Sequence, residues 1–329
     1  MIFKSYYLLR KTMKQFASKT PEEFDFSEII YKKSDWIATI TINRPEVYNA
    51  YSIITLQEMI CALQDAAWDD GIAVIVITGT GEKAFCTGGD VKEYASEFIN
   101  RPRDFHKWMG VFNQFHDLLR NCGKPTIARL NGMVVGGGNE INMSCDLAIA
   151  AEHVTIRQVG TSVGSVAAGG ATQFLPIIVG DRRAREILLL NEPIEAKKAL
   201  EWGLVNYVVP YEELDSKIQE TAQKLINKFP ECTRYTKQQL NFWKDFAWNM
   251  TIGHAKDWLS VHFSSLETHE GMQGFVEKRQ PDYLKIREKA KSGMSSETLW
   301  GANLKQCKTC GAKYLPEEFS FCGKCGNII

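Results

Sequence analysis

The sequence predicts an α/β fold with a largely parallel β-sheet, followed by a small metal-binding tail. Residues 72–78 form an apolar run typical of a buried strand, and residues 36–42 alternate like a half-buried strand. Between them, residues 53–68 place apolar side chains at helical spacing. Strand, helix and strand in succession favour parallel pairing, because the helix supplies the crossover. The tail is predicted from two C-x-x-C pairs near the C-terminus.

Length, composition and charge exclude several classes of protein. The chain has 329 residues, of which 44% are hydrophobic and 24% charged, so one large globular domain with an appendage is expected. The formal net charge of zero gives no bulk electrostatic reason to bind nucleic acid or an anionic membrane. The apolar segments are too short and interrupted to span a membrane. Nine cysteines without a secretory signal fit a reducing compartment, so we expect a cytoplasmic protein.

Residues 1–25 are predicted to be an N-terminal extension. Its first part is basic and free of acidic residues, which leaves two interpretations open. An organellar presequence has this composition, and so does a solvated extension, which we favour. The basic residues are Lys4, Arg10, Lys11, Lys14 and Lys19.

A first glycine turn follows the buried strand. Gly88 and Gly89 allow a close approach of the backbone to a ligand, Asp90 suits a helix N-cap, and Lys92 supplies a nearby cation. Asp104 is predicted to cap a further helix over residues 105–119. The aromatic residues of that helix indicate core packing rather than a site for a ring; they are Trp108, Phe112 and Phe115.

A second glycine turn, residues 136–138, opens a helix that carries Glu140 in its first turn. The free N–H groups of a helix start bind anionic oxygen, and Glu140 can face whatever the glycines hold. Two glycine-lined amides that converge on one oxygen would form an oxyanion hole, a large electrostatic contribution in acyl chemistry. A glycine turn that only allows close helix packing is the alternative.

Residues 160–170 form a run of small residues that includes Thr161 and Ser165. The run could be a mobile loop before a helix that begins near Thr172. We favour the second interpretation, a pocket wall kept small to admit a bulky acyl group, with hydroxyl groups available for hydrogen bonds. The charged residues 181–186 indicate a solvated helix start.

Several motifs in a fixed order are similar to those of the crotonase (enoyl-CoA hydratase/isomerase) superfamily. The resemblance implies a ββα superhelix with a C-terminal helical trimerisation region, and hence a homotrimer or hexamer. It implies that the amides of Gly89 and Gly137 polarise the carbonyl of an acyl-CoA thioester, with Glu140 as general base or acid toward water. Coenzyme A would be part of the substrate, held by Gly88, Asp90 and Lys92. The motifs are residues 42–45, 48–50, 124–128, 145–150, 199–205, 270–271, 277–279 and 281–282, with the two glycine turns.

Two departures from the family pattern bear on the reaction. The second glutamate of the hydratases falls on Gly160, and the carboxylate of the ring-acting branch is missing from residues 164–167. With Tyr94-Ala95, Arg101-Pro102 and a retained Glu140, the chain most resembles the 6-oxocyclohex-1-ene-1-carbonyl-CoA hydrolases. These enzymes hydrate a ring enone and open the ring in anaerobic aromatic degradation. In this chain Thr161 and Ser165 would orient water or a ring carbonyl in place of the two missing carboxylates.

Two other functions remain open at this stage. A straight-chain enoyl-CoA hydratase/isomerase is the nearer alternative, since it uses the same oxyanion hole. A non-catalytic acyl-CoA-binding scaffold that recruits partners through the tail is the other. His262 and His269 are weaker candidates for acid–base chemistry, because histidine titrates near neutral pH.

The tail carries Cys307, Cys310, Cys322 and Cys325, with eleven residues between the two C-x-x-C pairs. This spacing predicts a zinc ribbon, and four thiolates leave no open position on the ion, so the zinc would be structural. Redox-active dithiols are the alternative. The ribbon could contact a partner protein; nucleic acid binding is the less favoured role. The predicted regions are an extension (1–25), a crotonase-like core (26–230), a C-terminal helical region (231–290), a linker (291–303) and the ribbon (304–329).

Overall fold

The structure, a computed structural model, describes residues 18–293, 303–313, 315–316 and 319–329. Most of the predicted basic extension and residues 294–302 of the predicted linker therefore lie outside the described residues. The division of the chain into five regions stays a prediction.

The first half of the chain alternates strands and helices, as expected. The helix predicted over residues 53–68 has those bounds because Ser52 caps it: the Ser52 hydroxyl accepts hydrogen bonds from the amides of Ile54 and Thr55. The elements are β1 (Ile29–Ser34), β2 (Ile37–Ile42), α1 (Ile53–Trp68), β3 (Val74–Gly79), β4 (Ala84–Cys86), α2 (Val91–Glu93), α3 (Pro102–Asn121), β5 (Thr126–Leu130), β6 (Met133–Val135), α4 (Gly137–Ser144), β7 (Leu147–Ala151) and β8 (Thr155–Arg157).

The second half is mostly helical. The long helix of the C-terminal region buries Trp248 but leaves Trp243 and Phe246 exposed. None of the described helices is both long enough and apolar enough to span a bilayer. The elements are α5 (Ala171–Val179), α6 (Asp181–Leu190), β9 (Ile194–Glu195), α7 (Ala196–Glu201), β10 (Tyr207–Val209), α8 (Leu214–Ile226), α9 (Pro230–His262), α10 (Leu266–Val276), α11 (Tyr283–Lys291), β11 (Asn303–Lys305) and β12 (Leu315–Pro316).

Two sheets organise the core. The six-stranded sheet has the order β1-β2-β3-β5-β7-β10, and its pairs are parallel except β1 with β2. The four-stranded sheet has the order β4-β6-β8-β9. In three successive ββα units, β3-β4, β5-β6 and β7-β8, the first strand joins the large sheet and the second joins the small one. The predicted α/β class and ββα repeat are confirmed.

The small sheet places both glycine turns at one edge. Strands β4 and β6 are neighbours and parallel, so the segments that follow their C-terminal ends emerge side by side. The turn at Gly88 and Gly89 follows β4, and the turn at residues 136–138 follows β6. In α/β folds this edge is where ligands bind.

One predicted helix start is wrong. Helix α3 begins at Pro102 with Arg101 as its N-cap, so Asp104 lies in the first turn instead of capping it. Proline favours the first helical position, because its φ is preset and its missing N–H would have no partner there. The helix expected near Thr172 begins at Ala171, and Asp181 opens α6 with exposed neighbours, as predicted.

Candidate active site

The two glycine turns are in direct contact. A Cβ atom built on Gly88 would lie 3.0 Å from the amide nitrogen of Gly137, and Gly88 has a φ of +87°. A Cβ on Gly138 would lie 2.0 Å from the carbonyl oxygen of Cys86. Only residues without a side chain allow this approach, so the glycines are required for the two turns to meet.

The two amides proposed for the oxyanion hole, those of Gly89 and Gly137, belong to different glycine turns. Tyr51 bridges to the first turn on either side of Gly89, because its amide donates to the Gly88 carbonyl and its carbonyl accepts from the Asp90 amide, each at 2.9 Å. Gly137 is the first residue of α4, where helical N–H groups have no intrahelical acceptor. Across the described part of the chain, the amides of Gly89 and Gly137 have no hydrogen-bond acceptor.

Glu140 lines the same cavity as Gly89 and Gly137, and only 3% of its surface is exposed. Its Oε1 accepts hydrogen bonds from the amides of Gly169 at 2.7 Å and Ala171 at 3.2 Å. Burial outweighs these two stabilising bonds and raises the pKa of Glu140 to about 7. A carboxyl with this pKa can accept or donate a proton near neutral pH.

The space between the turns is a cavity of about 110 Å³ with an aromatic wall. Trp108 and Phe112 of α3 stack with ring centroids 5.3 Å apart, and both line the cavity. Both are buried in the hydrophobic core, as expected, and in addition they line the cavity, whereas Phe115 is fully buried and does not line it. Other apolar lining residues are Val91, Phe105, Met109, Leu259, Phe263 and Met272.

The small-residue run forms another wall of the cavity. Gly160, Val163 and residues 165–168 line it, which favours the pocket-wall interpretation. Ser165 therefore lies where it was expected. Thr161 does not: its hydroxyl donates to Oδ1 of Asn191 at 2.8 Å, and it is absent from the cavity lining. The run turns over a short 3₁₀ helix at Gly160–Ser162, which directs Thr161 toward α6.

The residues predicted to hold coenzyme A divide into two groups. Gly88 lines the cavity, whereas Asp90 and Lys92 do not. Asp90 caps α2, as predicted, and its Oδ2 lies 3.0 Å from the Arg44 guanidinium. Lys92 is exposed, in the short helix α2 that follows the first glycine turn. Their contribution to binding coenzyme A stays a prediction.

The two histidine candidates lie outside the cavity lining. His269 contacts Oδ1 of Asn100 at 3.0 Å, and burial lowers its pKa to about 4. His262 stacks on Trp258 with centroids 4.3 Å apart. Neither arrangement favours acid–base chemistry on a substrate in the cavity.

Comparison with known families assigns the core. A family model described as enoyl-CoA hydratase/isomerase matches residues 32–286. This chain belongs to that family. The resemblance and the crotonase-like fold predicted from the sequence are thereby confirmed, and the chain is a crotonase-superfamily acyl-CoA hydratase or hydrolase.

Individual relatives agree with this assignment. A 6-oxocyclohex-1-ene-1-carbonyl-CoA hydrolase from Geobacter metallireducens is 31% identical over 322 residues, covering 81% of this chain and 83% of the relative. The solved enoyl-CoA hydratase of Mycobacterium avium subsp. paratuberculosis K-10 has a TM-score of 0.71 and 25% identity, covering 78% of this chain and 98% of that one. The enoyl-CoA hydratase of Bacillus anthracis has a TM-score of 0.63 and 30% identity, covering 78% and 99%.

The family match ends before the cysteine tail, whose geometry fits zinc. The four sulfur atoms lie within 4.8 Å of one another, and the Cys307–Cys325 and Cys310–Cys322 pairs are each 3.6 Å apart. Tetrahedral ligation with Zn–S bonds of about 2.3 Å places sulfurs roughly 3.8 Å apart, whereas a disulfide needs about 2.05 Å. The residues therefore could hold a structural zinc ion.

The two halves of this cluster are built alike. The Gly311 amide donates to the Cys307 carbonyl at 2.9 Å, and the Gly326 amide donates to the Cys322 carbonyl at 2.8 Å. Each glycine has a positive φ, 70° and 74°, which turns the chain back toward the sulfurs. Both C-x-x-C pairs thus direct two thiol groups to one point, as the spacing predicts.

We expect the purified protein to contain one zinc ion per chain, and its removal by a chelator to leave turnover unchanged. Four sulfur ligands leave no open position for substrate, and no cysteine of the cluster lines the cavity. Elemental analysis and initial rates before and after chelation test this. Cys325→Ser should lose the zinc, whereas Cys232→Ser, which also removes an exposed thiol, should keep it. Turnover that falls in proportion to zinc loss would contradict the structural role.

Sequence reasoning missed the partners of Glu140 and the position of two tyrosines in the cavity lining. The amides that bind the Glu140 carboxylate come from Gly169 and Ala171, at the end of the small-residue run. The pair Gly169-Gly170 repeats the glycine pattern that indicated the other two turns, and it was the available signal. Tyr51 and Tyr94 also line the cavity.

Proposed function

We propose that this protein adds water to a cyclic enoyl-CoA, 6-oxocyclohex-1-ene-1-carbonyl-CoA or a close analogue, and then opens the ring. The observation that carries the proposal is the position of Glu140. In the described part of the cavity lining it is the only carboxylic acid, and it shares that lining with Gly89 and Gly137, whose amides have no acceptor among the described residues. The aromatic walls suit a ring, and the name of the Geobacter relative specifies this ester as its substrate.

Hydration would use the amides and the acid together. The thioester oxygen would lie between the amides of Gly89 and Gly137, which stabilise the negative charge that develops on it. Glu140 takes a proton from water while the water oxygen bonds to the β-carbon and the C=C π bond breaks. The resulting enolate then receives the proton from Glu140 at its α-carbon, so that one water is added in full.

Ring opening would reuse the same groups. Glu140 takes a proton from a second water, whose oxygen bonds to the ring ketone carbon. The bond between that carbon and the α-carbon breaks, and its electron pair forms the thioester enolate held by the two amides. Glu140 returns the proton to the α-carbon, and the ketone carbon becomes a carboxyl group. Ser165 would orient one of the waters. Gly160, in place of the second family glutamate, leaves room for the ring.

A panel of CoA esters in heavy-oxygen water tests the proposal. We expect 6-oxocyclohex-1-ene-1-carbonyl-CoA to gain two waters, with one label in the new hydroxyl and one in the new carboxyl group, read by mass spectrometry. Cyclohex-1-ene-1-carbonyl-CoA and crotonyl-CoA lack the ring ketone, so with these two esters the panel measures hydration alone. A preference for crotonyl-CoA would defeat the ring assignment and leave the straight-chain hydratase. Tight binding of every ester without turnover would indicate the non-catalytic scaffold.

The pH dependence follows from the pKa of Glu140. As the base, Glu140 must be ionised, and burial raises its pKa to about 7. We therefore expect kcat/KM to fall about tenfold per pH unit below pH 7 and to level off above it. Initial rates between pH 5 and 9 measure this. The base role would be contradicted if kcat/KM began to fall only near the usual glutamate pKa, or if it fell as the pH rises through 7.

We also propose the oligomer that the family resemblance implies, a homotrimer or hexamer. Helix α9 leaves a set of large apolar side chains exposed, which a second copy could cover; they are Leu240, Phe242, Trp243, Phe246 and Met250. Light scattering of the purified protein should give a mass of three or six chains, and the mass of a single chain would contradict the proposed oligomer. The protein partner of the zinc ribbon and the cytoplasmic location remain predictions.

A further inference from the structure

Two phenol groups lie directly against the proposed oxyanion hole. A Cβ atom built on Gly137 would be 1.9 Å from Oη of Tyr51, and a Cβ on Gly89 would be 1.8 Å from Oη of Tyr94. Each hydroxyl therefore occupies the space where a side chain of an oxyanion-hole residue would begin. Both tyrosines line the cavity.

The two hydroxyls form a pair that stays protonated. Burial raises the pKa of Tyr51 far above its ordinary value, and the neighbouring Tyr94, Glu140 and Cys86 add to the effect, with Tyr94 also as a hydrogen-bond partner. Burial likewise raises the pKa of Tyr94. Each neutral phenol keeps its own O–H group, and a hydrogen bond between the two phenols can use only one of them, so at least one O–H is available to donate to a ligand.

Other polar atoms of the lining also lack partners. The indole nitrogen of Trp108 and Oε1 of Gln158 are buried and have no hydrogen-bond partner among the described residues. Trp108 packs against both phenols: its ring stacks on Tyr51 with centroids 6.4 Å apart and meets Tyr94 edge to face at 5.0 Å. Buried polar groups without a partner are costly, so these two atoms favour a ligand that brings a polar group of its own into the cavity.

We propose that the hydroxyls of Tyr51 and Tyr94 form a second carbonyl site, which binds the ketone oxygen of a β-keto acyl-CoA ester. The inference deepens the proposed function and rests on it. In 6-oxocyclohex-1-ene-1-carbonyl-CoA the ketone carbon and the thioester carbon are both bonded to C1, so their oxygens can lie side by side. The phenols and the two amides provide adjacent donors for these two oxygens.

The second site would act in both catalysis and selectivity. Hydrogen bonds to the ketone oxygen polarise that carbonyl and stabilise the negative charge that forms when the second water attacks. A simple enoyl-CoA has no such oxygen and would leave the available phenol O–H without an acceptor. Sites built to hydrogen-bond a substrate group discriminate strongly against an analogue that lacks it.

Binding measurements on two matched esters test the site. In a Glu140→Gln background, which blocks turnover, the dissociation constants of 6-oxocyclohex-1-ene-1-carbonyl-CoA and cyclohex-1-ene-1-carbonyl-CoA are compared. We expect Tyr51→Phe and Tyr94→Phe each to weaken the keto ester about tenfold and to leave the deoxy ester unchanged. Tyr31→Phe is the matched control, because its buried hydroxyl bonds Oδ2 of Asp65 at 2.7 Å, away from the cavity. It should change neither constant.

A spectroscopic readout separates binding from a structural role. The infrared stretch of the ring ketone should shift to lower frequency in the Glu140→Gln complex and return toward its solution value when Tyr51 or Tyr94 is replaced by phenylalanine. Equal weakening of both esters, or an unshifted ketone stretch, would overturn the second carbonyl site. The panel in heavy-oxygen water judges the proposed function separately. If the wild-type protein incorporates the label but neither substitution has a keto-specific effect, the second site alone is rejected. Keto-specific binding without turnover rejects the proposed function alone.

Discussion

Replacing Glu140 with glutamine is expected to lower kcat by about 10²–10⁴-fold on every ester that the wild-type protein turns over. The amide side chain keeps the shape of the carboxylate, and its oxygen can still accept from the amides of Gly169 and Ala171. It cannot take a proton from water. Binding of the CoA ester should therefore be retained while turnover is lost, which stopped-flow binding and steady-state rates distinguish.

Glu58→Gln is the matched control for this experiment. Glu58 is partly buried and, like Glu140, its carboxylate accepts hydrogen bonds from backbone amides, those of Ser27, Glu28 and Ile29. It does not line the cavity. We expect less than a twofold change in kcat for this control. Full activity of Glu140→Gln or Glu140→Ala on any true substrate would show that the assigned role is wrong.

Replacing Gly137 with alanine is expected to lower kcat by about 10²–10³-fold, the usual loss when one oxyanion-hole donor is displaced. The new Cβ would lie 1.9 Å from Oη of Tyr51, so either the turn or the phenol must move. The same displacement should lower the thermal midpoint. Gly253→Ala in α9 is the control, since a Cβ there meets nothing within 4 Å and alanine favours the helix.

A double substitution separates the steric effect from the catalytic one. Tyr51→Phe removes the oxygen atom that the Cβ of Gly137→Ala would meet, so the double variant should recover part of the lost thermal midpoint. Turnover should stay low, because the Cβ still lies 2.8 and 2.9 Å from two ring carbons of residue 51 and keeps the turn and its amide displaced. If the double variant instead loses as much stability as the two single variants combined, the new Cβ and the Tyr51 hydroxyl do not meet. If Gly137→Ala turned over substrate at the wild-type rate, the assignment of Gly137 to the oxyanion hole would be wrong.

Much of the fold was predictable because its signals are local. The buried strand near residues 72–78, the amphipathic helix 53–68 and the helical C-terminal region each follow from side-chain spacing over a short segment. Where two local signals competed, prediction failed: Asp104 was expected to cap a helix, but Pro102 starts that helix earlier. The cysteine tail was also predictable from local signals, because each C-x-x-C pair spans only four residues.

Candidate catalytic residues were predictable as types, not as an arrangement. Consecutive glycines can be recognised as turns, and an acid in the first turn after one of them, Glu140, stands out. Contact between the turns depends on the parallel pairing of β4 with β6, which no single segment specifies. The direction of a hydroxyl group is also set by distant residues: Thr161 was expected in the cavity, but its partner Asn191 is 30 residues away.

The chain itself encodes the strands, the glycine turns, one acid and four cysteine ligands, because these depend on the conformational preferences and spacing of neighbouring residues. Packing between distant segments sets the chemistry of the cavity. The amides that bind Glu140 lie 29 and 31 residues further along the chain, and the burial that raises its pKa to about 7 comes from the assembled walls. The phenols at Gly89 and Gly137 likewise meet only in the folded state, since close contacts and desolvation are properties of segments brought together.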